Sequence, residues 1–335
     1  MQTGEVSDGR IASEAQARGV EWGLSSQSLK DDAEYFEKAR LPIVRPARQK
    51  TFLYVTEANS PYELRKKVLA AEKEAIGQLA ADLIRGATQT SGGVKYTQTK
   101  ILQMLADEAR VITREHAARR ISRQLTSMYS RYDRLCAVDS GTTTLSVGKV
   151  FEKHGREMLP DPFSRLKSLT LLTNSTDFAT CLSHPKSSVQ VIMLGGRLRK
   201  ETHAFAGSLA KVCLEGWNLH LDASMVGCVG INVRKQFLGS PSEREFLAFM
   251  SDTFEECETK QALFERSSLR IVLMDSSKFK SDNAGPITIG HFPFAAVTGN
   301  DVDLIITDDK ENAETEIEAC WKNGVGVLIA ECGRG

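Results

Sequence analysis

Short apolar runs alternate with helix-like stretches from residue 135 to the end of the chain. The runs lie at residues 135–139, 169–174, 189–195, 223–231, 269–275, 304–307 and 325–330. Such alternation is typical of a mainly parallel sheet that is covered by helices on both faces. The sequence therefore predicts an α/β, Rossmann-like domain in this part of the chain. A chain of 335 residues leaves room for further structure before it.

Composition indicates an ordinary soluble protein. Hydrophobic residues make up 41% and charged residues 26% of the chain. No run approaches the roughly 18 apolar residues of a membrane span, and the polar start MQTGEVSDGR does not resemble a signal peptide. We therefore expect a cytoplasmic protein without a membrane partner. The net charge is zero overall, with +5 on the first 134 residues and −5 on the rest, which permits a nucleic-acid contact near the start without requiring one.

The cysteines and histidines form no pattern. The seven cysteines contain no CxxC pair, and the six histidines are dispersed without an HExxH motif. This arrangement favours reduced thiols over a disulfide framework. We expect no metal and no cofactor.

The stretch Asp139-Ser140-Gly141-Thr142-Thr143-Thr144 follows the first apolar run and precedes a helix-like segment. A turn between a strand and a helix can hold a phosphate, because glycine permits close approach, and the hydroxyls and free amides donate hydrogen bonds. Serine and threonine also cap helices without any ligand. The stretch is therefore a candidate phosphate site, with ordinary capping as the alternative.

Polar turns also follow the next five apolar runs. Their residues are Thr173-Asn174, Gly195-Gly196, Gly227 to Gly230, Ser276-Ser277-Lys278 and Thr307-Asp308. Ligands of open α/β sheets bind at the carboxyl ends of the strands. Five polar turns at the same edge of one sheet indicate a binding site there.

The motifs DSGTTT, TNS, LGG, GxxGI, DSSKF and ITD, in this order over residues 117–310, closely resemble the sugar-phosphate sensor domain of DeoR-family regulators. That domain is related in fold to ribose-5-phosphate isomerase and to the CoA transferases. The resemblance implies that Thr143 and Thr144 lie near a ligand phosphate, that Lys278 supplies positive charge, and that Glu258 and Lys260 match a helix before the DSSKF strand. The ligand-binding residues that we predict are Asp139, Ser140, Gly141, Thr142, Thr143, Thr144, Thr173, Asn174, Gly195, Gly196, Gly227, Glu258 and Lys278. The alternatives are a plain turn at Gly195-Gly196 and an exposed helical pair at Glu258 and Lys260.

The first 56 residues show the order of a winged helix-turn-helix. Helices are predicted over 11–18 and 26–40, followed by strands over 41–44 and 51–55 that are joined by a basic turn. Residues 25–32, Ser-Ser-Gln-Ser-Leu-Lys-Asp-Asp, resemble the recognition helix of DeoR-type repressors, with Lys30-Asp31 in place of two arginines. On this interpretation the DNA-binding residues are Ser26, Gln27, Lys30, Arg45, Arg48 and Lys50. The alternative is a small helical cap that packs against the main domain or a second subunit.

Residues 57–112 are predicted to form a helical linker or dimerisation region. The capping box Ser60-Pro61-Tyr62-Glu63 begins a helix that ends near Gly86. A linker-like stretch over 86–95 and helices over 97–107 and 113–129 follow. Arginines 110, 114, 119, 120, 123, 131 and 134 crowd this approach to the first strand. A solvated helix face is the preferred interpretation, with a nucleic-acid or phosphate contact as the alternative.

The resemblance implies a DNA-binding transcriptional regulator with domains at 1–56, 57–112 and 113–335. A phosphorylated sugar or similar metabolite would bind the last domain, and operator DNA and a second copy of the chain would be its partners. An isomerase or transferase of the same fold, with Glu258 as its base, is one alternative. The isomerases carry Asp-Gly-Ala-Asp where this chain has Gly227-Cys228-Val229-Gly230, so we predict that the chain is not an enzyme. A metabolite-sensing protein without DNA binding is the other alternative.

Overall fold

The computed structural model describes residues 5–6, 43–44, 52–54, 61–86, 88–90, 93–96, 112–154, 168–184, 187, 189–236, 244–279, 292–297, 301–308 and 314–332. The chain divides into two compact units, Met1–Ala70 and Ala71–Gly335. Among the described residues, no helix is both long and apolar enough to cross a membrane.

The first unit contains a small antiparallel sheet. Its strands are β1 (Glu5–Val6), β2 (Ile43–Val44) and β3 (Phe52–Tyr54), in the order β1-β3-β2. The predicted hairpin is therefore present, with a third strand added. Helix α1 (Pro61–Lys67) follows. The predicted helices over 11–18 and 26–40 lie outside the described residues, as do the six predicted DNA-binding residues, Ser26, Gln27, Lys30, Arg45, Arg48 and Lys50.

The helix predicted from Pro61 to Gly86 is interrupted. Helix α1 ends at Lys67 and α2 covers Ala70–Arg85, because Leu69 adopts a left-handed backbone with φ of 52° that an α-helix cannot contain. Gly86, with φ of 76°, ends α2, and its N–H donates to the Asp82 carbonyl at 2.8 Å. This closing hydrogen bond and the glycine are typical of a helix C-terminus.

The prediction of a linker over residues 86–95 was wrong. Strands β4 (Thr88–Thr90) and β5 (Gly93–Tyr96) pair there as an antiparallel hairpin. β-Branched Thr88, Thr90 and Val94 favour extended backbone and outweigh the polar composition. The helix predicted over 97–107 lies outside the described residues.

Among the described residues, seven parallel strands form the main sheet of the second unit. The strands are β6 (Asp133–Val138), β7 (Ser168–Thr173), β8 (Val189–Met193), β11 (Leu221–Gly227), β14 (Ser267–Leu273), β16 (Leu304–Asp308) and β17 (Gly326–Ala330). Their order in the sheet is β17-β16-β14-β11-β6-β7-β8. The chain places helices between most of them, which confirms the predicted α/β fold. The helices are α3 (Ile112–Ser130), α4 (Thr142–His154), α5 (Thr176–Leu182), α6 (Ser208–Trp217), α7 (Phe254–Glu265) and α8 (Glu314–Lys322).

Besides the β4–β5 hairpin, the described part of the second unit contains two further small sheets. Strands β9 (Arg197–Arg199) and β10 (Ala204–Ala206) form an antiparallel pair between β8 and α6. Strands β12 (Gly230–Gln236), β13 (Arg244–Ser251) and β15 (Phe292–Val297) form a three-stranded antiparallel sheet. The apolar run predicted over 223–231 therefore divides between β11 and β12, which belong to different sheets.

Apolar cores lie on both faces of the main sheet. In β6, Cys136 and Val138 join a cluster with Ile84 of α2 and Phe151 of α4. The intervening Ala137 joins a second cluster, which includes residues of α6, α7 and α8. This alternation follows from the period of two along a strand, and it is why a β-strand buried on both faces reads as a continuous apolar run.

Three of the arginines near the first strand have structural roles within the second unit. Arg134 is buried and donates to the Ile84, Arg85 and Met128 carbonyls at 2.7 to 3.1 Å. Arg131 pairs with Asp222 at 3.1 Å, and Arg120 pairs with Asp303 at 3.0 Å. The solvated-face interpretation was therefore wrong for Arg134 and Arg120, which satisfy buried acceptors. Arg131 remains half exposed while it pairs with buried Asp222.

Candidate anion-binding site

The sheet order brings four of the predicted turns to one edge. Strands β14, β11, β6 and β7 are consecutive neighbours and parallel, so their carboxyl ends meet there. The segments that follow these ends begin at Met274, Cys228, Asp139 and Asn174. Neighbouring strands lie about 4.8 Å apart, so the outer two of these ends are separated by roughly 14 Å.

The turn between β6 and α4 exposes backbone donors. Gly141 has φ of 146°, and its carbonyl accepts from the Leu145 N–H at 2.9 Å and from the Thr144 hydroxyl at 3.0 Å. The first four N–H groups of a helix have no partner inside it. Among the described residues, no acceptor bonds the amides of residues 141–144. These amides, at the positive end of the helix dipole, are suited to bind an anion.

Asp139 lies at the centre of a buried polar network. It is 2% exposed, and its carboxylate accepts from the Lys260 ammonium and from the Asn174 side-chain amide at 2.9 Å. The Asn174 side-chain oxygen in turn accepts from the Ser140 N–H at 2.8 Å. Buried Thr173 accepts from the Ser175 N–H at 3.2 Å. The network therefore fixes the β6 and β7 turns relative to each other.

A second carboxylate lies close to Lys260. Glu256, one turn earlier on α7, pairs with Arg199 of β9 and accepts from the Ser251 hydroxyl at 2.8 Å. Burial alone would lower the pKa of Lys260, but the Asp139 and Glu256 carboxylates outweigh it, so the pKa is raised. Lys260 therefore remains charged although it is 4% exposed.

Lys278 lies at the end of the turn after β14. Asp275 caps this turn, accepting from the Ser277 N–H at 3.2 Å and through its own carbonyl from the Lys278 N–H at 3.0 Å. Asp308 accepts from the Ser276 N–H and hydroxyl at 2.5 and 2.7 Å. Lys278 is partly buried, and its ammonium has no hydrogen bond or ion pair with any residue that the structure describes.

Cys228 lies near Lys278, and its neighbour Gly227 lies beside the turn formed by residues 140–144. Burial raises the pKa of Cys228 to about 12, and the nearby ammonium groups of Lys278 and Lys260 oppose this rise. A Cβ atom on neighbouring Gly227 would lie 3.7 Å from the Ser140 carbonyl oxygen. Lys278 and the turn that carries the open amides therefore both lie close to the Gly227-Cys228 segment. Burial and the high pKa of its thiol make Cys228 a poor nucleophile.

The structure brings most of the predicted ligand residues to this edge. Asp139, Ser140, Thr173 and Asn174 belong to the hydrogen-bonded network, while Thr142, Thr143 and Thr144 form the first turn of α4. Gly141, Gly227 and Lys278 lie beside them. These ten residues, with Lys260, define the anion cradle.

Gly195 and Gly196 have a different position. They follow β8, and Gly196 has φ of 151° with the Ala206 main chain 3.2 Å from a built Cβ atom. Gly196 is therefore required for the approach of β10, and a built Cβ atom at Gly195 would meet no described residue within 4 Å. Neither glycine contacts Asp139 directly, but Gly196 lies against Phe205, whose carbonyl accepts from the Asn174 side-chain amide at 3.0 Å.

Glu258 does not join the cradle. Its side chain makes no hydrogen bond or ion pair with a described residue. Residues two apart on a helix point to opposite sides, so Glu258 points away from the side of α7 that carries Lys260. Lys260 and Glu256, which are four residues apart, share the inward side of α7. The missed residues were therefore Lys260 as a member of the site, Glu256 and Arg199. The inward side of α7, which carries Glu256 and Lys260, could have been recognised from Thr259, Leu263 and Phe264, which are buried in the same helix.

A protein-family model matches most of the second unit. The model described as "DeoR C terminal sensor domain" matches residues 115–309, which is more than half of the chain. This interval begins within α3 and contains the whole anion cradle.

Three curated relatives are similar over a comparable region. "Putative aga operon transcriptional repressor" of Escherichia coli O157:H7 is 26% identical over 57% of this chain and 58% of its own length. "Uncharacterized HTH-type transcriptional regulator YulB" of Bacillus subtilis is 28% identical over 66% of this chain and 70% of its own length. "HTH-type transcriptional repressor GlcR" of the same organism is 28% identical over 48% and 53%. The chain thus spans little more than half the length of the first and third of these relatives.

Solved structures give a more distant likeness. Ribose 5-phosphate isomerase A from Neisseria gonorrhoeae is 12% identical, covers 50% of this chain and 54% of its own, and has a TM-score of 0.25. The corresponding enzyme from Plasmodium falciparum is 12% identical over 51% and 55%, with a TM-score of 0.28. Scores this low establish neither a shared fold nor a shared activity.

Proposed function

Because the chain belongs to the family of the DeoR C-terminal sensor domain, we propose that it is a DNA-binding transcriptional regulator whose second unit binds a small phosphorylated metabolite. A phosphorylated sugar is the expected class of ligand. The relatives named as transcriptional repressors support the regulatory part of this proposal. A ligand would change DNA affinity by binding two conformations of the protein unequally.

One observation carries the ligand part of the proposal. Open amides of residues 141–144 and the Lys278 ammonium lie at the same edge of the sheet, and neither has a counterpart among the described residues. An unpaired cation beside a helix N-terminus favours a group with two or more negative charges. A phosphate monoester has this charge and enough oxygen acceptors for both sets of donors.

A thermal-shift experiment tests the ligand part. The wild type is heated with a panel of phosphorylated sugars and with the same sugars lacking phosphate. A ligand present at a hundred times its dissociation constant adds about 2.7 kcal/mol to the stability. We expect a shift from one or more phosphorylated members, and from none of the dephosphorylated sugars.

Two lysine variants show where the ligand binds. Lys278→Ala should abolish the shift, because it removes the free cation of the cradle. Lys149→Ala is the matched control, since Lys149 is exposed on α4 and lies beyond its first turn. An equal shift in wild type and Lys278→Ala would refute binding at this edge.

The DNA-binding part is tested with fragments from the protein's own promoter region. Affinity should fall steeply as the salt concentration rises, because binding releases counterions from the DNA. Arg45→Glu and Lys50→Glu should weaken it, and the ligand found by thermal shift should change it. Ligand binding without any salt-sensitive DNA binding would favour a metabolite-sensing interaction protein instead.

We further propose that the chain binds its ligand without converting it. The turn Gly227-Cys228-Val229-Gly230 contains no carboxylate, and Glu258 lies apart from the cradle. Incubation of the protein with aldose phosphates should therefore give no ketose phosphate. Turnover that disappears in Glu258→Gln would overturn this conclusion.

A further inference from the structure

Exposed large apolar side chains concentrate in one part of the second unit. Among the described residues, six such side chains are exposed, and all except Tyr132 lie on β9, on α6 or at the start of α7. The five are Leu198, Leu209, Val212, Trp217 and Phe254. Single exposed apolar residues are common on protein surfaces, whereas a contiguous patch marks an interaction surface.

Helix α6 is apolar on two sides. Ala210 and Leu214 point into the core and are fully buried. On the other side, Leu209, Val212, Cys213 and Gly216 follow one another at intervals of three, one and three residues, with Leu209 62% and Val212 59% exposed. The spacing i, i+3, i+4, i+7 is that of a helix–helix seam. We call these four residues the α6 face.

Phe254 and Leu198 extend the α6 face at its N-terminal end, and Trp217 lies at its C-terminal end. The Gly207 N–H, immediately before α6, donates to the Glu255 carbonyl at 3.2 Å, which places Phe254 beside the start of α6. The Glu255 carboxylate pairs with Arg197 of β9 at 3.0 Å, which brings Leu198 to the same region. The exposed apolar residues therefore lie on three neighbouring elements.

We propose that the α6 face is the contact between two copies of this chain, with the two α6 helices antiparallel across a two-fold axis. A two-fold contact uses the same surface of both subunits, so the surface must complement itself. The α6 face complements itself when the two-fold axis passes between residues 212 and 213. Leu209 then lies opposite Gly216 of the partner subunit, and Val212 lies opposite Cys213 of the partner subunit.

Gly216 supplies the space that this arrangement needs. A built Cβ atom there meets no described residue within 4 Å, so Gly216 has no packing role among the described residues. A glycine in a helix lowers stability by about 1 kcal/mol relative to alanine. It also lets a second helix approach closely, and here it leaves a gap opposite the Leu209 side chain.

Charge determines the direction of the helix pair. Lys211 and Glu215 flank the α6 face on one side, 4.0 Å apart and about half exposed. In a parallel pair this flank would face the other flank of the partner helix, where α6 carries no acidic or basic residue. The antiparallel pair brings Lys211 next to Glu215 of the partner subunit, so it is favoured by charge complementarity.

The mass of the full-length protein is measured by sedimentation equilibrium over a wide range of concentrations. The wild type should dimerise, and Val212→Glu should raise the dissociation constant about tenfold or more. Tyr132→Glu is the matched control, because Tyr132 has a similar exposure of 54% but lies outside the patch. It should leave the constant unchanged.

Gly216→Leu tests the close approach itself. The new side chain meets no described residue of the same subunit, so at concentrations where the wild type is also monomeric the thermal unfolding of the variant should be unchanged or improved. At higher concentrations the variant should not dimerise. Mild oxidation of the wild type should also give a covalent dimer through Cys213 near the axis, and Cys213→Ser should not form it. A wild type that stays monomeric, or a dimer that both Val212→Glu and Gly216→Leu leave intact, would overturn the proposal.

Discussion

Replacement of Lys260 by Met removes the cation that neutralises Asp139. Both side chains are nearly inaccessible, at 4% and 2% exposed. The methionine fills a similar volume, so the main change is an uncompensated buried carboxylate. Loss of one partner of a buried ion pair costs about 3 to 5 kcal/mol. This is a large part of the roughly 5 to 15 kcal/mol that stabilises a typical domain.

A double-mutant cycle separates the ion pair from other effects of the substitution. Asp139→Asn should cost a comparable amount, because it leaves the Lys260 ammonium buried beside Glu256 alone. The double variant Asp139→Asn/Lys260→Met contains no unpaired charge at this position. Its loss of stability should be several kcal/mol smaller than the sum of the two single losses. Urea unfolding measures all four free energies.

The pH dependence of stability gives an independent check on the same pair. The folded pKa of Lys260 is raised above its ordinary value of 10.5. The contribution of Lys260 to the free energy of unfolding is therefore complete below pH 10.5, and it is lost as the pH rises through the pKa of the folded state. Wild type should lose more stability than Lys260→Met in this alkaline range. Additive single losses in the cycle, together with parallel pH profiles, would refute the coupling between Asp139 and Lys260.

Three further substitutions test other parts of the second unit. Gly141→Ala should lower stability by about 1 to 2 kcal/mol in urea unfolding, because alanine is strained at φ of 146°, and it should weaken the ligand-induced shift. Burial raises the pKa of Asp82 from 3.8 to about 7, so wild-type stability should fall as the pH rises across this interval, by at most about 4 kcal/mol. Thermal unfolding of Asp82→Asn should lack this fall, and a parallel profile would contradict the assignment. Arg134→Met leaves three buried carbonyls without their donor and should cost about 3 kcal/mol or more; a loss below 1 kcal/mol in urea unfolding would show that water replaces the guanidinium.

The main sheet was predictable because its signal is local. Each parallel strand is buried on both faces and therefore appears as an apolar run, and each run ends at a polar turn. The position of Asp139 to Thr144 at the end of β6 follows from the same pattern. The left-handed Leu69, which divides the predicted helix, carries no such signal, since leucine rarely adopts this backbone.

The ion pairs of the cradle were not predictable in the same way. Asp139 and Lys260 are 121 residues apart, and Arg199 and Glu256 are 57 residues apart. A charged residue on a helix is usually solvated, so sequence alone favoured an exposed pair at Glu258 and Lys260. Only the rotation of α7 against the sheet decides that Lys260 points inward and that Glu258 does not.

The distribution of charge at the cradle is the strongest physical argument for binding without turnover. A general base must be free to accept a proton from its substrate. The Asp139 carboxylate is held by Lys260 and Asn174, and the Glu256 carboxylate is held by Arg199 and Ser251. Both acids are therefore committed to fixing the turns, and Asp275 and Asp308 accept from Ser277 and Ser276 in the same way. The groups that stay open among the described residues are the amides of residues 141–144 and the Lys278 ammonium, and these are donors that can hold an anion but cannot remove a proton from carbon.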